Sequence, residues 1–250
     1  MPRFDQPDLL VPCTVACRAA GIEVEPQPPL PVCTEPDAGE VIEAVDEAMV
    51  EVDHPALVTI PAYLLGGWEH ARPDQWLRAE VHDRLCAAAQ SLPDGFGLAV
   101  LDAWRPLELQ IELYAAAMAD PRVPSELIAE PSADPCTPPS HLTGGAVDCT
   151  LTVDGTPLAL GTGFDDLTPL AHIDGIETTP GLERELRRLL FWTMRRLGFV
   201  VFHAEWWHFE FGTRRWAAIT GDVARYGPTA PPGNTPEGGR PGPTTRRSRR

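Results

Sequence analysis

The sequence predicts an α+β fold, with a mainly antiparallel central sheet flanked by helices. Three observations favour this class. Helical periods and strand-like runs are mixed between residues 41 and 226, without the strict alternation of βαβ units. Asp154-Gly155, after one predicted strand, is typical of a tight hairpin turn. Hydrophobic residues make up 43% of the 250 residues, enough for a sizeable core.

The composition divides the chain into three parts. Residues 1–40 are rich in proline, and we expect an irregular arm there. Residues 41–226 contain the periodic segments and form the predicted globular domain. Residues 227–250 are rich in proline, glycine and arginine and offer no apolar anchor for a core, so a disordered tail is predicted.

Apolar residues four positions apart predict the first long helix, within residues 72–95. Pro73 suits its first turn, and a proline and a glycine close it. A strand is predicted directly after it, over residues 96–104. The residues that predict the inner face of the helix are Leu77, Val81 and Leu85.

A second helix is predicted over residues 106–120, opened by Pro106. Residues 121–139 hold six prolines and must form a loop. The apolar positions that predict the buried face of the helix are Leu107, Ile111, Tyr114 and Met118.

Two further strands are predicted. Residues 146–153, "AVDCTLTV", read as a strand that ends at the Asp154-Gly155 turn, and residues 199–211, "FVVFHAEWWHFEF", are the most strand-like stretch of the chain. Between them, residues 178–198 predict a helix, with Thr179 as its N-cap, Pro180 in its first turn and Gly198 just past its end.

The charge of the chain is unevenly distributed. The total is −16, but residues 227–250 contain five arginines and one glutamate, so the remainder carries −20. A body this acidic would repel phosphate backbones, and we expect no nucleic-acid binding by the folded domain. The basic end could touch RNA or anionic lipid weakly, although a solubilising tail is the favoured interpretation.

The sequence predicts a cytoplasmic protein. No apolar run approaches the length of about 18 residues that a membrane span requires, and the first 21 residues make a poor secretory signal. Six cysteines without such a signal argue against a disulfide framework. Cys13 and Cys17 form a C-x3-C pair, but no second pair stands nearby to complete a structural zinc site.

The segment "SHLTGGAVD", residues 140–148, contains two candidate metal ligands, His141 and Asp148. A catalytic zinc ion commonly has three protein ligands and one open position. Strand periodicity places Asp148 on the more polar face of its strand, and Gly144 and Gly145 allow the loop to bring His141 over that face. A loop histidine and a strand aspartate are also common without any metal.

The segment "HAEWWHF" adds Glu205 and His208. On a flat strand, residues three apart point to opposite faces, so the chain must turn or bulge if both serve one site. A glutamate among large apolar side chains is costly unless its charge is paired, which favours a functional site over an aromatic core strand. His203 is a weaker candidate, expected to be a supporting or packing residue.

Arg105, in "LDAWRP", lies where a predicted strand meets the start of a helix, a place from which a guanidinium can project into a cleft. Its permanent charge and five donors suit an oxyanion in a transition state. For a lone arginine, a surface salt bridge is the alternative.

In this order, "LDAWRP", "SHLTGGAVD" and "EWWHFEF" resemble the zinc D-alanyl-D-alanine dipeptidases of the VanX type, which share a fold with the hedgehog signalling domain. The resemblance extends from about residue 54 to residue 216. It implies a fold of the hedgehog/D,D-peptidase kind and one Zn²⁺ per chain. It also implies a small D,D-dipeptide as the substrate.

The resemblance also implies roles for seven residues. His141, Asp148 and His208 would bind zinc, Glu205 would be the general base and acid, and Arg105 would stabilise the tetrahedral intermediate. Asp165, in "GTGFDD", would hold the ammonium group of the dipeptide, and Ser140 would line the substrate site.

Two alternatives stay open. An Asn-Phe-x-Gly-like element of the family is replaced here by "PAYLLGGWEHARPD", so the enzyme could be a D,D-carboxypeptidase or a peptidase of longer peptidoglycan fragments. The second alternative is a zinc- or peptide-binding module without catalysis, although a structural zinc ion would need neither Glu205 nor Arg105. The oligomeric state is not indicated by the sequence.

Overall fold

The structure is a computed structural model, and its centre is a mixed sheet with helices packed around it. The residues that it describes are 4, 6, 9–41, 43–121, 123–124 and 127–233. The strands assigned among them are β1 (Val11–Pro12), β2 (Met49–Glu51), β3 (Leu57–Thr59), β4 (Trp76–Arg78), β5 (Phe96–Asp102), β6 (Ala146–Val153), β7 (Thr156–Ala159), β8 (Val200–Val201) and β9 (His208–Glu210). The α-helices assigned among them are α1 (Cys13–Ala20), α2 (Ala62–Leu65), α3 (Ala79–Gln90), α4 (Leu107–Ala119), α5 (Leu182–Arg196) and α6 (Arg214–Thr220).

Strand β6 is the centre of the main sheet. It pairs antiparallel with β5 on one side, and on the other with β9 near its start and β7 near its end. Strand β8 extends this side through β9. The outer strands β1 and β3 are parallel to β7 and β5, whereas the other pairings of this sheet are antiparallel. The expected helix-flanked sheet is therefore present and mainly antiparallel, but it is mixed rather than purely antiparallel.

Residues 146–153 form β6 as predicted, and both of its faces are buried. Asp154 and Gly155 both have positive φ, at 49° and 77°, as a two-residue hairpin turn requires. The predicted polar face is covered because helices and loops pack on both sides of the sheet. Thr150 satisfies its buried hydroxyl by donating to the Leu158 carbonyl over 2.7 Å.

The first predicted helix begins later than expected. Trp76–Arg78 form β4, antiparallel to β2, and α3 then runs over Ala79–Gln90. Residues 76–78 are extended because they pair with β2, about 27 positions earlier in the chain. The local spacing of apolar residues carries no information about this pairing. The predicted inner positions Leu77, Val81 and Leu85 are all fully buried.

The second predicted helix has the expected bounds within one residue, but its predicted buried face is wrong. Ile111 and Met118 are 50% and 44% exposed. Helix α4 carries apolar side chains on most of its sides, so spacing alone cannot say which side meets the core. Its buried residues are Leu109, Gln110, Leu113 and Ala117.

Helix α5 begins at Leu182 with Gly181 at its N-cap, so the predicted cap at Thr179 is wrong. Gly198, with φ of 88°, follows the end of the helix as predicted. The predicted strand over 199–211 is also interrupted. Only its ends, β8 and β9, are strands, and a turn between them carries Glu205.

Parts of both chain ends that were predicted to be irregular or disordered are ordered and pack against the domain. Within the predicted irregular arm, β1 is an edge strand of the sheet and α1 is a helix, whereas residues 22–40 form neither helix nor strand. Gln27 and Pro28 of this stretch form hydrogen bonds with α5. Residues 227–231 of the predicted tail pack on the body. The Thr229 carbonyl, for example, accepts a hydrogen bond from the Trp104 indole over 2.8 Å. The rest of the predicted disordered tail, residues 234–250, lies outside the described residues.

None of the helices in the described part of the chain is both long and apolar enough to cross a membrane. All six cysteines fall within that part, and each is a free thiol.

Candidate metal centre and active site

Three predicted ligand residues meet in the interior. Nδ1 of His208 lies 3.0 Å from Oδ1 of Asp148, and Nε2 of His141 lies 3.4 Å from the same oxygen. The two imidazole nitrogens are 3.2 Å apart. All three residues are at least 95% buried.

Strand pairing brings these residues together. Asp148 in β6 lies directly opposite His208 in β9, and on the other side opposite Asp102 in β5. His141 is in a short 3-10 helix, His141–Thr143, which ends at Gly144 with φ of 70°. A side chain at Gly145 would approach the Phe211 carbonyl to 2.8 Å, so the glycines allow the close return of this loop.

Hydrogen bonds fix both imidazole rings. Nδ1 of His141 donates to the Ala103 carbonyl over 2.6 Å, and Nε2 of His208 donates to Oε1 of Glu210 over 2.8 Å. The other nitrogen of each ring therefore faces Asp148 as a potential lone-pair donor. Burial raises the pKa of Asp148, but the two histidines outweigh burial and hold it well below the ordinary value.

The donor set fits a divalent transition metal. Tetrahedral bonds of about 2.1 Å would place ligand atoms about 3.4 Å apart, close to the 3.0–3.4 Å between these three atoms. Two imidazoles and one carboxylate are a common zinc ligand set, and they leave one coordination position open. The residues could therefore hold a metal ion without rearrangement.

Glu205 lies beside this cluster but outside it. The Glu205 amide donates to the Phe202 carbonyl over 3.1 Å, which closes the turn between β8 and β9. Its Oε2 then lies 3.8 Å from Nδ1 of His208. The His208 amide donates to the Glu205 carbonyl over 3.4 Å, so the predicted turn or bulge between Glu205 and His208 is a turn. Burial raises the pKa of Glu205 to about 7.

Arg105 is buried rather than paired on the surface. Its guanidinium donates to Asp102 over 2.9 Å, to Gln110 over 2.9 Å and to the Tyr63 hydroxyl over 3.2 Å. Nη2 also lies 3.7 Å from Oδ2 of Asp148. The arginine separates two carboxylates that face each other across the sheet, and it holds a fixed cation beside the metal ligands.

Asp165 is a buried carboxylate without a full set of partners. Its Oδ1 accepts from the Tyr63 hydroxyl at 3.4 Å, but no hydrogen-bond partner for Oδ2 exists among the described residues. Burial raises the pKa of Asp165 well above its ordinary value, and the charges of Glu205 and Asp148 raise it further. A buried acceptor of this kind is costly unless a ligand satisfies it.

These groups surround one cavity of about 140 Å³. Charged and polar side chains make up much of its lining, so the cavity suits a small polar ligand. A larger cleft of about 650 Å³ lies beside it and includes Glu35–Ala38 of the N-terminal arm. The predicted site residues that line the cavity are Arg105, Ser140, His141, Asp148, Asp165, Glu205 and His208.

His203 does not line the cavity; it pairs with Asp174 instead. Sequence reasoning missed four residues that contact the predicted ones: Tyr63, Asp102, Gln110 and Glu210. Asp102 belongs to the motif "LDAWRP", three residues before Arg105, and Glu210 belongs to "EWWHFEF", two residues after His208. These short spacings could have indicated that both residues contact the site. Tyr63 comes from the segment that replaces the family's Asn-Phe-x-Gly-like element, so this segment still reaches the site.

The chain is similar to known peptidases. A curated D-alanyl-D-alanine dipeptidase from Synechocystis sp. is 29% identical over 191 residues, which cover 63% of this chain and 77% of the relative. A solved structure of the LdcB LD-carboxypeptidase is 15% identical, with a TM-score of 0.36 over 90% of this chain and 92% of that chain.

The family model described as Peptidase_M15, D-ala-D-ala dipeptidase, matches residues 78–224. This range is more than half of the chain and contains Arg105, the three metal-ligand candidates, Asp165 and Glu205. The chain belongs to the Peptidase_M15 family of D-alanyl-D-alanine dipeptidases.

Proposed function

We propose that this peptidase hydrolyses D-alanyl-D-alanine and that it uses one Zn²⁺ per chain, held by His141, Asp148 and His208. The observation that carries the proposal is that three metal donors, a raised-pKa glutamate and a buried arginine line one small cavity. A structural metal site would need only the donors.

Zn²⁺ supplies Lewis acidity, which polarises a carbonyl oxygen and lowers the pKa of water. Glu205, close to the donors but not among them, accepts the proton of the attacking water and passes it to the departing amine. A pKa of about 7 suits Glu205 both for taking the proton from water and for giving it to the amine.

Arg105 stabilises the negative charge that develops on the carbonyl oxygen. Its contacts with Asp102, Gln110 and Tyr63 hold the guanidinium in place before the substrate arrives. A prearranged donor in a water-poor cavity costs little reorganisation during the reaction.

Asp165 binds the ammonium group of the dipeptide. The Oδ2 atom of Asp165 is buried at the cavity and has no hydrogen-bond partner among the described residues. The ammonium group of a substrate would donate a charge-assisted hydrogen bond to it. Ser140 lines the same cavity and contacts the substrate. A cavity of about 140 Å³ with the Asp165 carboxyl group at one end favours a dipeptide over longer peptides.

The proposal includes the expected substrate, the expected location and the expected lack of nucleic-acid binding. The substrate is a small D,D-dipeptide met in the cytoplasm, and the acidic folded domain does not bind nucleic acid. Ordinary turnover therefore requires no macromolecular partner.

The second candidate is a D,D-carboxypeptidase acting on longer peptidoglycan fragments. The cleft of about 650 Å³ favours it, because the cleft shares Ala129, Pro139, Ser140 and Arg215 with the cavity. A peptide longer than two residues could extend into it.

The test is release of free amine from D-Ala-D-Ala, from L-Ala-L-Ala and from a tripeptide ending in D-Ala-D-Ala, with and without a zinc chelator. We expect zinc-dependent hydrolysis of D-Ala-D-Ala alone. Cleavage of the tripeptide at an equal rate would favour the second candidate. Absence of any hydrolysis by zinc-loaded protein would leave a binding module and overturn the proposal.

A further inference from the structure

Another group of potential metal donors lies outside the cavity: His172, Asp174 and His203. One donor atom from each lies within 4.8 Å of the others. Two backbone hydrogen bonds join the segments that carry them: the Ile173 amide donates to the His203 carbonyl over 2.9 Å, and the Trp206 amide donates to the Ala171 carbonyl over 3.0 Å. The three side chains are therefore held on two segments with fixed positions.

The distances suit a metal ion. Nε2 of His203 lies 3.2 Å from Oδ1 of Asp174, close to the separation of about 3.4 Å expected for tetrahedral ligands. The rings of His172 and His203 are 5.1 Å apart between centroids, at 60° to each other. Small side-chain rotations would bring the third donor to the same point.

A surface ion pair does not account for the second histidine. An exposed His–Asp pair contributes little to stability, and it needs only one imidazole. Two neutral imidazoles and one carboxylate are instead a ligand set for a transition-metal ion.

The site faces solvent and its backbone is anchored. The side chains of Asp174 and His203 are 50% and 30% exposed, so an ion can enter freely. The His203 amide donates to Glu35 over 2.7 Å, and the His172 carbonyl accepts from Arg187 over 2.7 Å. This anchoring keeps the donors close before an ion binds.

We propose that His172, Asp174 and His203 bind a second divalent transition-metal ion, such as Zn²⁺, Ni²⁺ or Cu²⁺. The nitrogen donors select against Mg²⁺ and Ca²⁺, which prefer oxygen. The ion would link the segment at residues 171–174 to the turn that carries Glu205. Its affinity would be lower than that of the buried centre, because its donors are exposed and must rotate into place.

The test is equilibrium dialysis of the full chain against buffered free Zn²⁺, with bound metal measured by mass spectrometry. We expect two ions per chain in two separate steps. His172→Gln and Asp174→Asn should each weaken the second step at least tenfold and leave the first, whereas His208→Ala should abolish the first and leave the second. His70→Gln is the matched control, since His70 pairs with Glu112 at 3.1 Å and belongs to no such three-donor group in the described structure.

A second readout uses Cu²⁺ bound to the His208→Ala protein. Its electron paramagnetic resonance spectrum should show coupling to two imidazole nitrogens, and to one after a further His172→Gln change. Absence of Zn²⁺ binding by the His208→Ala protein, or Zn²⁺ binding in His172→Gln that matches the parent in every step, would overturn the proposal. Neither result depends on hydrolysis, so the second site is tested separately from the proposed activity.

Discussion

His208 and Glu210 lie two positions apart on one face of β9, and Nε2 of the imidazole donates to the carboxylate over 2.8 Å. This bond leaves Nδ1 facing Asp148. Glu210 is itself fully buried and also accepts from Thr213 and Arg215. The carboxylate therefore sets both the orientation and the tautomer of a predicted metal ligand.

Glu210→Gln should lower the affinity for Zn²⁺ by about tenfold to a hundredfold, because an amide holds the imidazole less firmly than a carboxylate. Competition with a chromophoric chelator measures the affinity. Glu112→Gln is the matched control, since Glu112 also pairs with a histidine, His70, but does not touch His208. Equal affinities for the two variants would contradict this positioning role.

Glu205→Gln should keep the Zn²⁺ ion held by His141, Asp148 and His208 but lower kcat by about 10² to 10⁴, since the amide cannot take up a proton. Glu205→Ala should behave in the same way. Metal content and dipeptide hydrolysis are measured on the same preparation. Activity near that of the parent would show that another group transfers the proton.

Arg105→Lys should lower kcat by about 10² to 10³ with unchanged metal content. Lysine keeps the charge but lacks the fork that reaches Asp102 and Gln110 together, so its ammonium is held less rigidly. Arg72→Lys, which changes an arginine paired with Asp74, is the control. A drop in zinc content instead of kcat would assign Arg105 to the support of the metal ligands.

Asp165→Asn should raise KM for D-Ala-D-Ala by about tenfold to a hundredfold, because hydrogen bonds to a charged partner are worth about 1.5–3 kcal/mol. An N-acetylated dipeptide has no ammonium group, and its slower hydrolysis should not change further in the variant. Asp166→Asn is the neighbouring control. If both dipeptides lose activity equally, Asp165 does not bind the ammonium group.

Zinc binding should release a proton from His208. When no cation is bound, burial lowers the pKa of His208, but hydrogen bonds to Asp148 and Glu210 outweigh burial and raise the pKa from 6.5 to about 10. The imidazole is then protonated at neutral pH and must lose its proton to bind metal. The apparent affinity should rise about tenfold per pH unit between about pH 7 and 9.

Calorimetry in buffers of different ionisation enthalpy counts the released protons. We expect one proton from this histidine near pH 8. In Glu210→Gln the release should be smaller, because one of the two carboxylates that raise the pKa is gone. An affinity independent of pH in this range would exclude His208 as a ligand.

The sequence determined the features that depend on neighbours along the chain. The bounds of β6, the Asp154-Gly155 turn and the position of Gly198 all follow from strand period and from glycine's tolerance of positive φ. The motifs also identified the side chains that meet in the cavity, because His, Asp and Glu are the residue types that metal-assisted hydrolysis needs. Their roles remain predictions for the experiments above.

Only the tertiary structure decided how distant segments pair. Strand β4 forms because β2 supplies its partner, and α4 turns Leu109 and Leu113 inward although Ile111 is as apolar. Tyr63 reaches Asp165 from about 100 positions away, and Asp148 meets His208 only through the register of β6 and β9. These pairings are the ones that give the whole packed core its lowest free energy. A local sequence pattern shows which residues are apolar, but it does not show which of them a distant segment will bury.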